Sequence, residues 1–178
     1  MPPAEDLPFD DDSFDAVMAT ITIHQWNDLE AGLREMRRVS RNQVVNLTFD
    51  AAALEEFWLR EYVPEVIAIE QQRYPAIERI VRVLGGSTDV LGVPIPRDCS
   101  DGFGEAYYAR PEAFLDADVR AAQSGWMLAD PAATQRGLDK LAADLSCGVW
   151  DGRHGRLREQ SERIGAVRLV VARPDSRS

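Results

Sequence analysis

From Phe14 to Thr20 the chain opens on an acid and then runs apolar through Ala16-Val17-Met18-Ala19. A run without alternation suits a strand covered on both faces, as in a parallel sheet with helices above and below. Leu29, Leu33, Met36 and Val39 then recur at spacings of four, three and three, one stripe of an amphipathic helix. Asn27 or Asp28 offers the N-cap, and Arg37, Arg38 and Arg41 crowd the other end, where cations complement the helix dipole. Gln43-Val44-Val45-Asn46-Leu47-Thr48-Phe49 predicts a second strand. Strand, helix and strand with short joints make a βαβ unit with a right-handed crossover.

The middle reads as helical. Asp50 is placed to cap a helix carrying Leu54, Phe57, Trp58 and Tyr62, and Pro64 opens another at its first turn. Pro75 breaks that run. Ile77, Ile80, Val81 and Leu84 resume it until Gly85-Gly86 ends it as a C-cap. A third strand is expected over 88–95, with Pro94 and Pro96 putting its end at an edge or in a loop. Beyond the loop 97–102 lies a long helical stretch, whose clearest helix starts at Asp130-Pro131 and runs through Leu138, Leu141 and Leu145 to Gly148. A final strand, 166–172, is ended by Pro174. With no repeat, linker or low-complexity segment, 1–178 reads as a single domain: a β-α-β segment over 1–49, a helical region with one strand over 50–165, and a terminal strand and tail over 166–178.

Composition narrows the function classes. The 178 residues carry 30 acidic against 20 basic side chains, a formal charge of −10, which is wrong for a nucleic-acid partner. Hydrophobic residues make up 45% and charged ones 28%, as in an ordinary globular chain. No stretch approaches the ~18–20 apolar residues of a membrane span, and the N-terminus has neither basic nor apolar signal regions. Cys99 and Cys147 have no partner spacing, so no zinc site is expected and a reducing, cytoplasmic address is the default. Asp10-Asp11-Asp12 lacks the EF-hand order and reads as a solvated turn, leaving no metal site.

The first strand is apolar on both faces, yet nothing before residue 14 could pair with it. Natural edges are blunted by lysine, proline or bulges, whereas here Pro2, Pro3 and Pro8 all precede the strand. A neighbouring copy pairing along this edge, as a homo-oligomer, is one expectation. Missing partner strands are the other.

The segment Ala4-Glu5-Asp6-Leu7-Pro8-Phe9, its acidic turn, and Ser13-Phe14-Asp15-Ala16-Val17 resemble the entry to the fourth strand of class I S-adenosylmethionine-dependent methyltransferases (type 11 methyltransferase domain). Thr20-Ile21-Thr22-Ile23-His24-Gln25-Trp26 continues the likeness, and Leu33, Glu35, Arg38 and Val39 fall on the family's "L-x-E-x-x-R-V" helix. The resemblance implies an α/β fold, a partial Rossmann-like sheet of parallel strands with an antiparallel terminal strand and a helical insertion. It implies S-adenosylmethionine as cofactor and a small-molecule acceptor. Ala4, Glu5 and Leu7 would lie beside the adenine, through backbone groups and the leucine side chain. Thr20 and Ile23 would border the cofactor at the strand end, where α/β ligands bind. His24 there is either a general base for an acceptor hydroxyl or amine, or a packing residue.

One departure stands out. The family's glycine-rich turn after its first strand is absent: Gly85-Gly86 follows a helix and Gly102-Phe103-Gly104 sits in a loop. The chain therefore resembles the C-terminal two-thirds of a methyltransferase, and weak cofactor binding, or none by this chain alone, is expected of it. The alternative is a truncated, non-catalytic remnant acting as a homodimeric or protein-interaction module. The loop 97–103 reads as an Asx-turn or a substrate-steering segment, and Tyr107, Tyr108, Phe114 and Trp126 as core or acceptor-pocket aromatics.

Overall fold

A computed structural model describes residues 3–174; Pro2 and the tail beyond Pro174 lie outside the described residues. In chain order the elements are β1 (Phe14–Thr20), α1 (Leu29–Val39), β2 (Ser40–Phe49), α2 (Pro64–Arg73), α3 (Ile77–Leu84), β3 (Ser87–Pro96), α4 (Ala117–Ala121), α5 (Ser124–Leu128), α6 (Pro131–Ser146), α7 (Val149–His154), α8 (Arg156–Glu159) and β4 (Glu162–Arg173). Short 3-10 turns fill several joints. The described chain divides into two compact units, one holding residues up to 50 with 73–93 and 167 onward, the other 51–72 and 94–166.

The first unit carries the sheet, in the order β1-β2-β4-β3. β1 runs parallel to β2, and β2 antiparallel to β4, as the βαβ pattern and the family resemblance respectively imply. Val17 and Ala19 of β1, Val44 of β2 and Val170 and Ala172 of β4 share one face, where Leu29, Leu33 and Met36 of α1 and Ile77, Ile80 and Leu84 of α3 cover them. Fully burying an aliphatic side chain is worth about 1.5–3 kcal/mol, so this layer is the main stabiliser of the unit. The other face of β1 is not covered: Phe14 is 39% exposed and Met18 63%. β3 is an edge strand, one of the two placements its prolines allowed, and Gly85 closes α3 at φ +61°, a conformation glycine adopts without a Cβ penalty.

The second unit is built on aromatics. Trp58, Tyr108, Phe114 and Trp150 are buried, and Trp58 packs edge-on against Trp150 at 5.3 Å and Phe114 at 5.8 Å. Trp58 Nε1 donates to the Tyr108 carbonyl at 2.9 Å, and the Tyr62 hydroxyl donates to Asp144 at 3.0 Å. Tyr108 and Phe114 are therefore core. Asp130 caps α6, as the sequence suggests, by accepting from Ala132 and Ala133 N–H, and Gly148 follows in the left-handed region at φ +76°.

Two expectations are corrected. The helix expected over 54–62 is instead two 3-10 turns, Ala53–Glu56 and Trp58–Glu61, with Phe57 extended between them. Phe57, Trp58, Leu59, Tyr62 and Val63 are all buried, and a continuous α-helix would have turned one of three consecutive residues outward. β4 begins four residues early, at Glu162, in a polar stretch with no apolar run to announce it. Its extension is fixed from outside the strand, by the buried Glu105 carboxylate accepting the Ala166 N–H at 2.7 Å.

Candidate functional site

The segment before β1 has no ladder of its own and is held by α1. Asp28 caps that helix, its Oδ1 accepting from Glu30 and Ala31 N–H at 3.0 Å each. With the apolar stripe turned inward, Glu35 and Arg38 lie on the helix flank, one turn apart. Glu35 Oε2 accepts the Leu7 N–H at 2.9 Å. The Arg38 guanidinium donates to the carbonyls of Leu7 (3.0 Å) and Phe9 (2.8 Å), to Asp11 (2.8 Å), and to both Glu35 oxygens at 2.7 Å. The Asp12 N–H donates back to the Arg38 carbonyl at 2.9 Å. At the opposite end of α1, the Asp28 N–H donates to Glu5 Oε1 at 3.0 Å. One helix thus pins residues 5–12 at both of its ends.

The charges follow this geometry. Arg38's donors, and then the Leu7 N–H, hold the Glu35 carboxyl at about 2. The Asp28 N–H likewise holds Glu5 below the usual carboxylate range. Ala4 and Glu5 are half-buried in a turn closed by the Asp6 N–H on the Pro3 carbonyl at 3.2 Å. Leu7 is also half-buried, and because its N–H is committed to Glu35, its side chain is what it can offer a ligand.

At the far end of β1, Thr20 is exposed and pairs with Leu47. Ile21 follows at φ +47°, a left-handed conformation that costs a β-branched residue about 1–3 kcal/mol, and its N–H donates to the Leu47 carbonyl at 2.8 Å. This bend swings the chain into the 3-10 turn Ile23–Gln25, burying Ile23 and leaving His24 half-buried with its ring edge-on to Tyr74 at 4.9 Å. Burial, and secondarily the Arg73 charge, push His24 below the ordinary histidine range. Its Nδ1 is buried with no hydrogen-bond partner, and Nε2 lies 3.4 Å from the Gln25 amide nitrogen. The imidazole is therefore neutral at pH 7 with one ring nitrogen uncommitted.

Asn46 and Thr48 were not singled out by the sequence pattern, yet both are fully buried on the same face of β2 as Val44. Asn46 stands between Ala19 and Val170 in register, and neither its amide atoms nor Thr48 Oγ1 has a partner among the described residues. Alternating polar residues in an otherwise apolar strand were the available signal. Buried polar atoms are nearly always satisfied, so these and His24 Nδ1 are exceptions within an apolar layer. Arg168, opposite Thr48 in register, pairs with Asp50 at 3.3 Å.

The resemblance implies cofactor contact at Ala4, Glu5, Leu7, Thr20 and Ile23. The backbone cradle that the resemblance attributes to a glycine-rich turn is not among them: Gly85-Gly86 joins α3 to β3, and Gly102 and Gly104 lead into a 3-10 turn. Among the described residues, no cluster of three His, Cys, Asp or Glu side chains is placed to hold a metal ion, and no helix is long and apolar enough to cross a membrane. Cys99 and Cys147 are not disulfide-bonded.

Residues 2–48 match the sequence profile of a family described as a methyltransferase domain. Protein YafE of Escherichia coli (strain K12) is 34% identical over 61 residues, and the match spans 32% of this chain and 30% of that protein. A crystal structure from Anabaena variabilis, of a protein assigned as a methyltransferase from an antibiotic biosynthesis pathway, superposes with a TM-score of 0.85 at 31% identity. That match covers 95% of this chain and 70% of the relative. Through the pinned segment, the following strand and helix and this whole-chain likeness, the chain belongs to the class I S-adenosylmethionine-dependent methyltransferases.

Proposed function

We propose that the chain serves methyl transfer from S-adenosylmethionine to a small-molecule acceptor, with His24 as the base that takes the acceptor's proton. The observation that carries this reading is the neutral, half-buried His24 at the C-terminal end of β1, with Nδ1 unpartnered. The cofactor supplies an electrophilic methyl on a sulfonium. Ala4, Glu5 and Leu7, held in place by α1, would contact its adenine, and Thr20 and Ile23 would border it. Transfer of this kind needs chiefly positioning and an unprotonated acceptor. The formal charge of −10 disfavours a nucleic-acid acceptor.

The test is radiolabelled methyl transfer from S-adenosylmethionine to a panel of small alcohols, phenols and amines. His24→Ala should lower kcat by about 10²–10⁴-fold, the usual worth of a general base, with cofactor affinity unchanged. Equal turnover in wild type and variant overturns the base role, and methylation confined to RNA or DNA overturns the acceptor class.

A second reading, a protein-interaction module pairing through β1, is favoured by one feature. The uncovered face of that edge strand presents Phe14 and Met18.

A further inference from the structure

The second unit contains a cleft of about 600 Å³, within the size range of small-molecule sites. Its floor is apolar: Phe57, Trp58 and Leu157 are buried there. Its walls carry Arg60, Arg153, Arg156 and Arg163. A guanidinium has five N–H donors in a rigid fork, and these four use few of them. Arg60 donates Nε to Glu55 at 3.0 Å, and Arg153 reaches Glu61 only at 3.4 Å. Arg163 touches the Glu56 carbonyl at 3.5 Å, while its Nε is buried with no partner. Arg156 has no side-chain hydrogen bond or ion pair among the described residues.

Arg158, two residues along the same short helix but outside the cleft, behaves differently. It bonds Glu112 and Asp151 and stacks over the Trp150 ring at 4.8 Å. Unspent donors are thus a property of the cleft and not of arginines in this region. Buried N–H groups without acceptors are costly, and a carboxylate matches the arginine fork in two parallel bonds.

The rest of the lining sets the ligand's charge and body. Three glutamates, Glu55, Glu56 and Glu61, stand against the four arginines, and His154 Nε2 lies 3.0 Å from Glu61, so with the histidine neutral the lining carries a surplus of one positive charge. A monoanion neutralises that surplus, whereas a polyanion would meet three carboxylates. The Phe57–Trp58 floor calls for an apolar body. We infer that this cleft binds a small amphipathic carboxylate, its head between Arg156 and Arg163 and its body on the aromatic floor. The inference stands apart from the methyl-transfer reading, since every residue it uses lies in the second unit.

Phenylacetate is the probe, titrated into the full chain by calorimetry with tryptophan fluorescence as a second readout. A ligand of this size should saturate one site at about millimolar concentration. Phenylacetamide and phenethylammonium, with the same ring and no negative charge, should bind at least about tenfold more weakly, the worth of one charge-assisted contact. Arg163→Gln should cost a similar factor, and Arg82→Gln, on α3 in the first unit, nothing. If Arg163→Gln disturbs folding, the exposed Arg156→Gln carries the same expectation. No saturable binding up to about 20 mM, well above the expected range, overturns the inference. So does equal binding of the amide, or wild-type affinity in a folded Arg156→Gln variant.

Discussion

His24 shows how much one bend can do. The left-handed Ile21 takes the chain off β1, and within three residues a histidine lies against Tyr74 with a ring nitrogen sealed from water. Folding favours its neutral form, because burial and Arg73 lower its pKa. The stabilisation from His24 is therefore complete above the unfolded-state value of about 6.5 and fades as pH falls below it. Urea denaturation of wild type at pH 7 and pH 5 should show a loss that His24→Gln reduces; an identical loss in the variant would mean that His24 is not neutralised by folding. The sequence placed this histidine just beyond a strand end, four residues past Thr20. It could not show which ring nitrogen is buried. Asn46 and Thr48 escaped notice for a related reason: within an apolar strand, period alone does not tell whether a polar residue faces the core or water.

At the scale of elements, α1 does more than cover the sheet. Glu35 and Arg38, two letters of the motif that betrayed the family, are bonded to Leu7, Phe9 and Asp11, residues with no repeating structure of their own. Their spacing was plain in the sequence, but their partners, 27 to 31 positions away for Arg38, were not. Glu35, held at about 2, contributes stability present above the usual carboxylate range and lost as pH falls towards 2. Glu35→Gln should lower the denaturation midpoint at pH 7 and have a smaller effect at pH 2.5; a loss independent of pH would assign Glu35 to packing. Hydrogen exchange at the Leu7 amide should accelerate in the same variant. The 3-10 turns at 53–61 make the converse point. The buried Phe57, Trp58, Leu59, Tyr62 and Val63 overrode a helical pattern that the sequence displays clearly.

For the whole molecule, the order β1-β2-β4-β3 leaves one side of β1 unpaired among the described residues. A two-fold contact through this strand would be self-complementary. Sedimentation should show a dimer or higher assembly at high micromolar concentration, weakened by Met18→Lys, which sets a charge on the 63%-exposed position without touching the core. A folded wild-type monomer under those conditions removes the edge as an interface. The parallel pairing of β1 with β2 was legible because strand-helix-strand spacing is a local signal, and the antiparallel β4 followed from the family resemblance; the strand order was not legible. The division into two units was not, since β3 and β4 each run from one unit into the other without a change in composition. Amide chemical-shift mapping during titration with S-adenosylhomocysteine tests the proposal that residues 4–7 and 20–24 form one side of a cofactor site. Perturbations should concentrate at Ala4, Glu5, Leu7, Thr20, Ile23 and His24, with an affinity weaker than micromolar in the absence of a glycine-rich turn. Shifts confined to the second unit, or none at millimolar ligand, would contradict it.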